Sequence, residues 1–215
     1  LSGRELQRFP GHEAAVLSVD FAVDQKTVVS AGADKSVRLW NVAATRVLQA
    51  DATSVNDLAV QSVAAAAKIV TAGADKTVRL WTVDGAAVGQ LAGPTAEVTS
   101  VAVRPDGKQV VATSTLAVFV WDLPVALPAT PLAATFQFVT TAAAHRVQYQ
   151  GDGTQFAVGT ANGRLQLHDS ADGRLLEVIT QTAPVTALAF APDKRTVLVP
   201  GVANAATAHR MSFVK

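Results

Sequence analysis

Residues 30–40 read SAGADKSVRLW and residues 71–81 read TAGADKTVRLW, identical at nine of eleven positions, with both differences Ser/Thr exchanges. The two copies lie 41 residues apart. Trp121, in VFVWD, follows Trp81 by 40 residues; His168, in LQLHD, comes 47 later, and His209, in TAHRM, 41 after that. Self-similarity at a fixed period fixes the architecture before any single element is assigned. Five copies near 43 residues each span the 215-residue chain.

A second marker recurs in phase. Residues 16–21 (VLSVDF), 55–60 (VNDLAV), 98–103 (VTSVAV), 144–149 (AHRVQY) and 185–190 (VTALAF) alternate imperfectly at period two. They are rich in Val, Leu and aromatics, as strands are. Turn signals follow at Pro105–Asp106–Gly107, Gly151–Asp152–Gly153 and Pro192–Asp193. A second apolar run comes next, a third ends at the Trp or His, and a weaker fourth precedes the next copy. The one helix-friendly stretch, residues 64–67, is too short to nucleate alone. Four short strands per unit, repeated radially, predict an all-β chain: a β-propeller of about five four-stranded blades.

Composition narrows the function. Hydrophobic residues are 49% against 16% charged, enough to bury a core. Apolar runs fall short of the roughly 18 residues a spanning helix needs, so no membrane partner is expected. Eighteen Lys and Arg balance seventeen Asp and Glu, which gives no support for a basic face, so no nucleic-acid partner is expected. No cysteine is present, which excludes a disulfide scaffold, an iron–sulfur cluster, a thiol nucleophile and cysteine-ligated zinc. The compartment stays open, with cytoplasm favoured over periplasm. The sequence starts at Leu1, without a signal segment, and reads as part of a larger protein.

On these residues the chain resembles the WD-repeat β-propeller family over its full length. The first repeat is the fullest match, with Gly11–His12, Ser30, Asp34 and Trp40. The resemblance implies a structural tetrad, hydrogen-bonded from Trp through Ser and His to Asp. An indole only donates, a hydroxyl does both, and a carboxylate accepts, so such a chain is self-satisfying. The second repeat keeps Thr71, Asp75 and Trp81, but Ala50–Asp51 replaces Gly–His. The third keeps Trp121 but has Gly93–Pro94 and a shortened turn through Ser114 and Thr115. The fourth has Asn162 for the turn acid and His168–Asp169 for Trp–Asp, and the fifth is barely recognisable. The repeats are bounded at about 10–50, 51–91, 92–136, 137–179 and 180–215 within one domain. Residues 1–9 match a fourth strand, and in this family an N-terminal strand of that kind completes the last blade. Seven blades, the commonest size in the family, would need roughly 290 residues. With five, the ring either closes unusually small, belongs to a larger one, or associates with copies of itself.

His12, Ser30 and Asp34 also hold the groups of a hydrolase triad, but no nucleophile elbow accompanies them. Their recurrence with Trp favours structure, so no catalytic residue is assigned. His145, His168, Asp169 and His209 lie in different repeats without close ligand spacing, so neither metal nor cofactor is expected. Arg38 and Arg79 read as blade-rim charges. Pro124, Pro128 and Pro131 read as a stiff spacer loop in the third repeat. The resemblance implies a non-enzymatic scaffold that binds a protein or peptide. Its face would carry the fourth-to-first and second-to-third strand loops, with Glu13, Lys35, Asp51, Lys76, Thr95, Glu97, Asn162 and Gln181 as contact residues. The alternatives are a ligand-binding or enzymatic central channel, using Asp20, Asp57, His145 and Arg146, and a purely architectural module packed on a fused domain.

Overall fold

Near-continuous apolar runs in the second and third strands of the repeats give a sheet two apolar faces, and both must be covered. A computed structural model shows how this is met. It describes residues 8–22, 26–40, 45–49, 53–61, 68–191, 193, 196–200 and 206–210. Blade 1 is β1 (Val16–Phe21), β2 (Val28–Gly32), β3 (Ser36–Trp40) and β4 (Thr45–Gln49). Blade 2 is β5 (Val55–Val60), β6 (Lys68–Gly73), β7 (Val78–Thr82) and β8 (Ala87–Leu91). Blade 3 is β9 (Val98–Val103), β10 (Gln109–Ser114), β11 (Ala117–Asp122) and β12 (Phe136–Val139). Blade 4 is β13 (Ala144–Tyr149), β14 (Gln155–Thr160), β15 (Arg164–Asp169) and β16 (Leu175–Thr180). Blade 5 is β17 (Ala189–Phe190), β18 (Thr196–Pro200) and β19 (Ala206–Arg210). The fold is a five-bladed β-propeller, each blade an antiparallel meander with its strands in chain order. The expected closing strand at 1–9 lies outside the described residues apart from Arg8 and Phe9, and the Phe9 ring sits 5.6 Å from that of Trp40.

The hydrophobic core is divided among the blade junctions. Val29, Ala31, Val37 and Leu39 of blade 1 pack on Val55, Leu58 and Ile69 of blade 2. Val70, Ala72, Val78 and Leu80 meet Val98, Val101, Ala112 and Trp121 of blade 3. Val111, Val118 and Val120 then meet Ala144, Val147 and Phe156. Ala157, Leu165 and Leu167 meet Val185, Val197 and Val199 of blade 5. Adjacent residues of one strand thus serve opposite junctions, which is why β10 is buried at every position. The inner strands bulge where β1 pairs β2, β5 pairs β6 and β13 pairs β14, one residue after the first. A bulge there raises the local twist that a radial array needs.

The segment expected as a spacer in blade 3 does more than span a gap. Leu132 forms a parallel bridge to Leu91, donating its N–H to Gln90 and accepting from Ala92 N–H, so it caps the outer edge of blade 2. Leu127 packs on the junction between blades 2 and 3, against Gly89. The prolines keep this strap from becoming a full strand while its leucines still anchor it.

The junction between blades 4 and 5 is the tightest test of this packing. A Cβ on Gly159 would stand 2.4 Å from Val185 Cγ1 and 3.0 Å from the Val185 carbonyl oxygen. Gly159→Ala should therefore lower stability by about 1–3 kcal/mol through overpacking, read as a lower midpoint of chemical unfolding. An unchanged midpoint would contradict the close approach of these two blades.

Candidate functional site

Four side chains of blade 1 join end to end. The Trp40 indole donates to Ser30 Oγ at 2.7 Å, and Ser30 Oγ lies 2.7 Å from His12 Nε2. His12 Nδ1 lies 2.8 Å from Asp34 Oδ2. One tautomer satisfies every donor: Nδ1–H donates to the carboxylate, and Nε2 accepts from the serine hydroxyl. The glycine before His12 lets the chain pass close beside Arg38 and Trp40, where a Cβ would stand 2.7 Å from the guanidinium. Asp34 also accepts from Glu13 N–H at 3.0 Å and from the Ser36 hydroxyl at 2.7 Å. Burial pushes its carboxyl up, but the bonds from Ser36, Glu13 and His12 outweigh that and hold it well below the usual carboxylate range. Ser30 is buried with the indole on its free side, so an acyl group has no approach to its oxygen.

The later blades solve the same problem differently. In blade 2 the Trp81 indole donates to Thr71 Oγ1 at 3.2 Å, and Asp75 is bound by Thr77 and by Arg79 at 2.7 Å. Arg79 therefore grips its own hairpin, whereas Arg38 stands 3.8 Å from Asp34 and over the Trp40 ring. Asp51, at the position of His12, lies outside the described residues. In blade 3 an alanine, Ala112, stands where Ser30 does, and the Trp121 indole donates instead to the Ala92 carbonyl at 2.9 Å. In blade 4, His168 replaces Trp, stacks on Phe138 and Phe156, and lies 2.9 Å by Nδ1 from the Gly173 carbonyl. Burial holds its imidazole below the usual histidine value, against the opposite pull of that bond. Among the described residues no group of three or more potential ligands could hold a metal ion, so His145, His168, Asp169 and His209 are not brought together.

These networks position loops. The second-to-third strand turn is tied to the preceding loop by Ala33 N–H to Ala15, Ala74 N–H to Ser54 and Ala161 N–H to Ala143. The exposed turn residues Lys35 (φ 67°) and Lys76 (φ 73°) share the left-handed position that Gly163 (φ 78°) takes in blade 4. Glu13, Lys35, Lys76, Thr95, Glu97 and Asn162 are exposed at this end of the array, and Gln181 is half-buried. Gln181 Nε2 donates to the carbonyls of Ala183 and Pro200, Thr160 donates to Asn162, and Glu97 accepts from Asn56 at 2.8 Å across a junction.

The axis holds a cluster only half visible in sequence. The third residues of the inner-strand repeats are Ser18, Asp57, Ser100, Arg146 and Ala187, and all line one cavity of about 420 Å³. Asp57 accepts from Ser18 and Ser100 hydroxyls, each at 2.7 Å, and from Val101 N–H, and it pairs with Arg146 at 2.8 Å. Blades 1 to 4 thus share one buried carboxylate. Asp20, also lining the cavity, accepts from Phe21 and Val60 N–H; burial pushes its carboxyl up and Asp57 adds repulsion. His145 stands outside this set. Ser18 and Ser100 were missed because a serine in a strand carries no signal alone; the shared repeat position is the signal.

The geometry defines a propeller whose blades are locked by repeated polar networks. The family model for the WD domain, G-beta repeat, matches residues 3–41, 44–82 and 85–122, and that for the anaphase-promoting complex subunit 4 WD40 domain matches 133–193. The chain belongs to the WD-repeat family. No curated protein matches it.

Asp34→Ala should lower stability by about 1–3 kcal/mol at neutral pH, because His12 and Ser36 lose a buried acceptor. The unfolded chain takes up the Asp34 proton first as pH falls, so this gap is complete above the ordinary carboxylate pKa of about 3.9 and shrinks below it. Unfolding curves at several pH values test both points, and a pH-independent gap would contradict the carboxylate's role. For His168 the lowered pKa likewise means that the unfolded chain protonates first, below about pH 6.5. His168→Phe should accordingly lose less stability than the wild type between about pH 7 and 5, and parallel losses would contradict it.

Proposed function

We propose that the chain is a non-enzymatic scaffold that binds a protein or peptide through the loop face of Glu13, Lys35, Lys76, Thr95, Glu97 and Asn162. The observation that carries this reading is the lacing of turn to loop by backbone bonds in blades 1, 2 and 4. A face held still before binding loses little conformational entropy on contact. Its mixed charges suit a polar protein surface better than a polyanion. WD-repeat propellers commonly serve as interaction scaffolds. The match of 133–193 to a domain from a subunit of a named complex supports membership of an assembly.

Occupation of the axial cavity by a small ligand is the second reading, favoured by its volume and by Arg146 and Asp57 on its wall. Against it, Asp57 already accepts from three donors and one guanidinium within the protein. No helix among the described residues is long and apolar enough to cross a membrane.

Lysines at both ends of the array make the test direct. Lys35 and Lys76 lie on the loop face, while Lys108 lies exposed in a first-to-second strand turn at the opposite end. Lysine-reactive cross-linking in an extract of the source cells should join partner peptides to Lys35 or Lys76 and not to Lys108. Cross-links confined to Lys108 would overturn the assignment of the face. A small molecule that raised Tm in the wild type and not in Arg146→Ala would move the site to the channel.

A further inference from the structure

Every blade junction uses the same repeat positions, so an unmade junction can be recognised. The later blade contributes the first and fourth residues of its inner-strand run. Val55 and Leu58, Val98 and Val101, and Ala144 and Val147 are each at most 5% exposed. The equivalents in blade 1 are open: Val16 is 49% and Val19 is 57% exposed, and Phe21 beside them reaches 65%. The earlier blade contributes alternate positions of its second and third strands, which in blade 1 are Val29, Ala31, Val37 and Leu39, again at most 5% exposed. Pairing register makes Leu198, Pro200, Ala206 and Ala208 their equivalents in blade 5. Leu198 is 42% exposed, both alanines are exposed and Pro200 is half-buried. Among the described residues β1 has no packing on blade 5 comparable to its packing on β5.

We propose that these two faces are the halves of one further blade junction, made between copies of the chain. The β1 face of one copy (Val16, Val19, Phe21) seats on the β18–β19 face of the next (Leu198, Ala206, Ala208). The occupant follows from chemistry already used four times within the chain: branched and aromatic residues of an inner strand against a flat face of alternate apolar residues. A second copy carries both matching halves. Apolar strand faces left open drive association, and unlike surfaces joining head to tail make a heterologous contact. This inference rests on the packing alone and is independent of the loop-face reading.

Light scattering coupled to size exclusion reads it out on the 215-residue chain. The wild type should show a mass that is a multiple of 22.2 kDa and rises with concentration. Phe21→Glu and Leu198→Glu both replace exposed side chains, so each should keep the wild-type far-ultraviolet circular dichroism and run at 22.2 kDa. An equimolar mixture of the two variants retains one sound pair of faces and should form a species of twice 22.2 kDa and none larger. A wild type at 22.2 kDa throughout would overturn the proposal. So would an assembly that survives Leu198→Glu, since the β1 faces would then be meeting each other.

Discussion

No blade of this propeller can bury both its faces alone, and the rest of the structure follows from that. Each four-stranded sheet is thin, and adjacent residues of one strand belong to different cores. Val111 packs toward blade 4 while Val110 and Ala112 pack toward blade 2. A one-residue slip of β10 would exchange the two cores, so register is fixed by both neighbours together. Stability is then a property of junctions more than of blades, as in other stacked repeats.

The tryptophan position at the end of the third strand is accommodated differently from blade to blade. Where Ser30 and Thr71 meet an indole, the hydroxyl accepts from it. Where Ala112 removes that acceptor, Trp121 turns to a backbone carbonyl. Where His168 removes the indole, two phenylalanine rings cover the imidazole. All three keep the sheet closed, but in blade 1 the chain runs on through His12 to Asp34, and so to the turn that carries Lys35. The network that satisfies the interior thereby also sets the geometry of the loop face. At the other extreme, Asp57 gathers Ser18, Ser100 and Arg146 and ties four blades at the axis.

The period of the tryptophans, with the inner-strand runs and turn signals, made the blades legible, since strands, turns and burial all follow it. The partners of Ser30, Asp34 and Trp40 were legible through the resemblance to the WD-repeat family, with which their donor and acceptor types agree. The Arg146–Asp57 pair was not. The two residues are 89 positions apart in blades that do not touch in sequence, and only curvature brings their shared repeat position together. The carbonyl that receives Trp121 leaves no trace in sequence, since every residue has one. The strap at Leu132 was hidden by its prolines, which argue against a strand while saying nothing of the bridge between them.

The central claim is that the loop face is a rigid extension of the sheets. Native-state hydrogen exchange at the Ala33, Ala74 and Ala161 amides measures this directly, because each bonds a turn to a loop in a different blade. These amides should exchange as slowly as those of β2, β6 and β14 beside them, opening only with the blades. Exchange at the rate of a free loop, with the strands still protected, would contradict it.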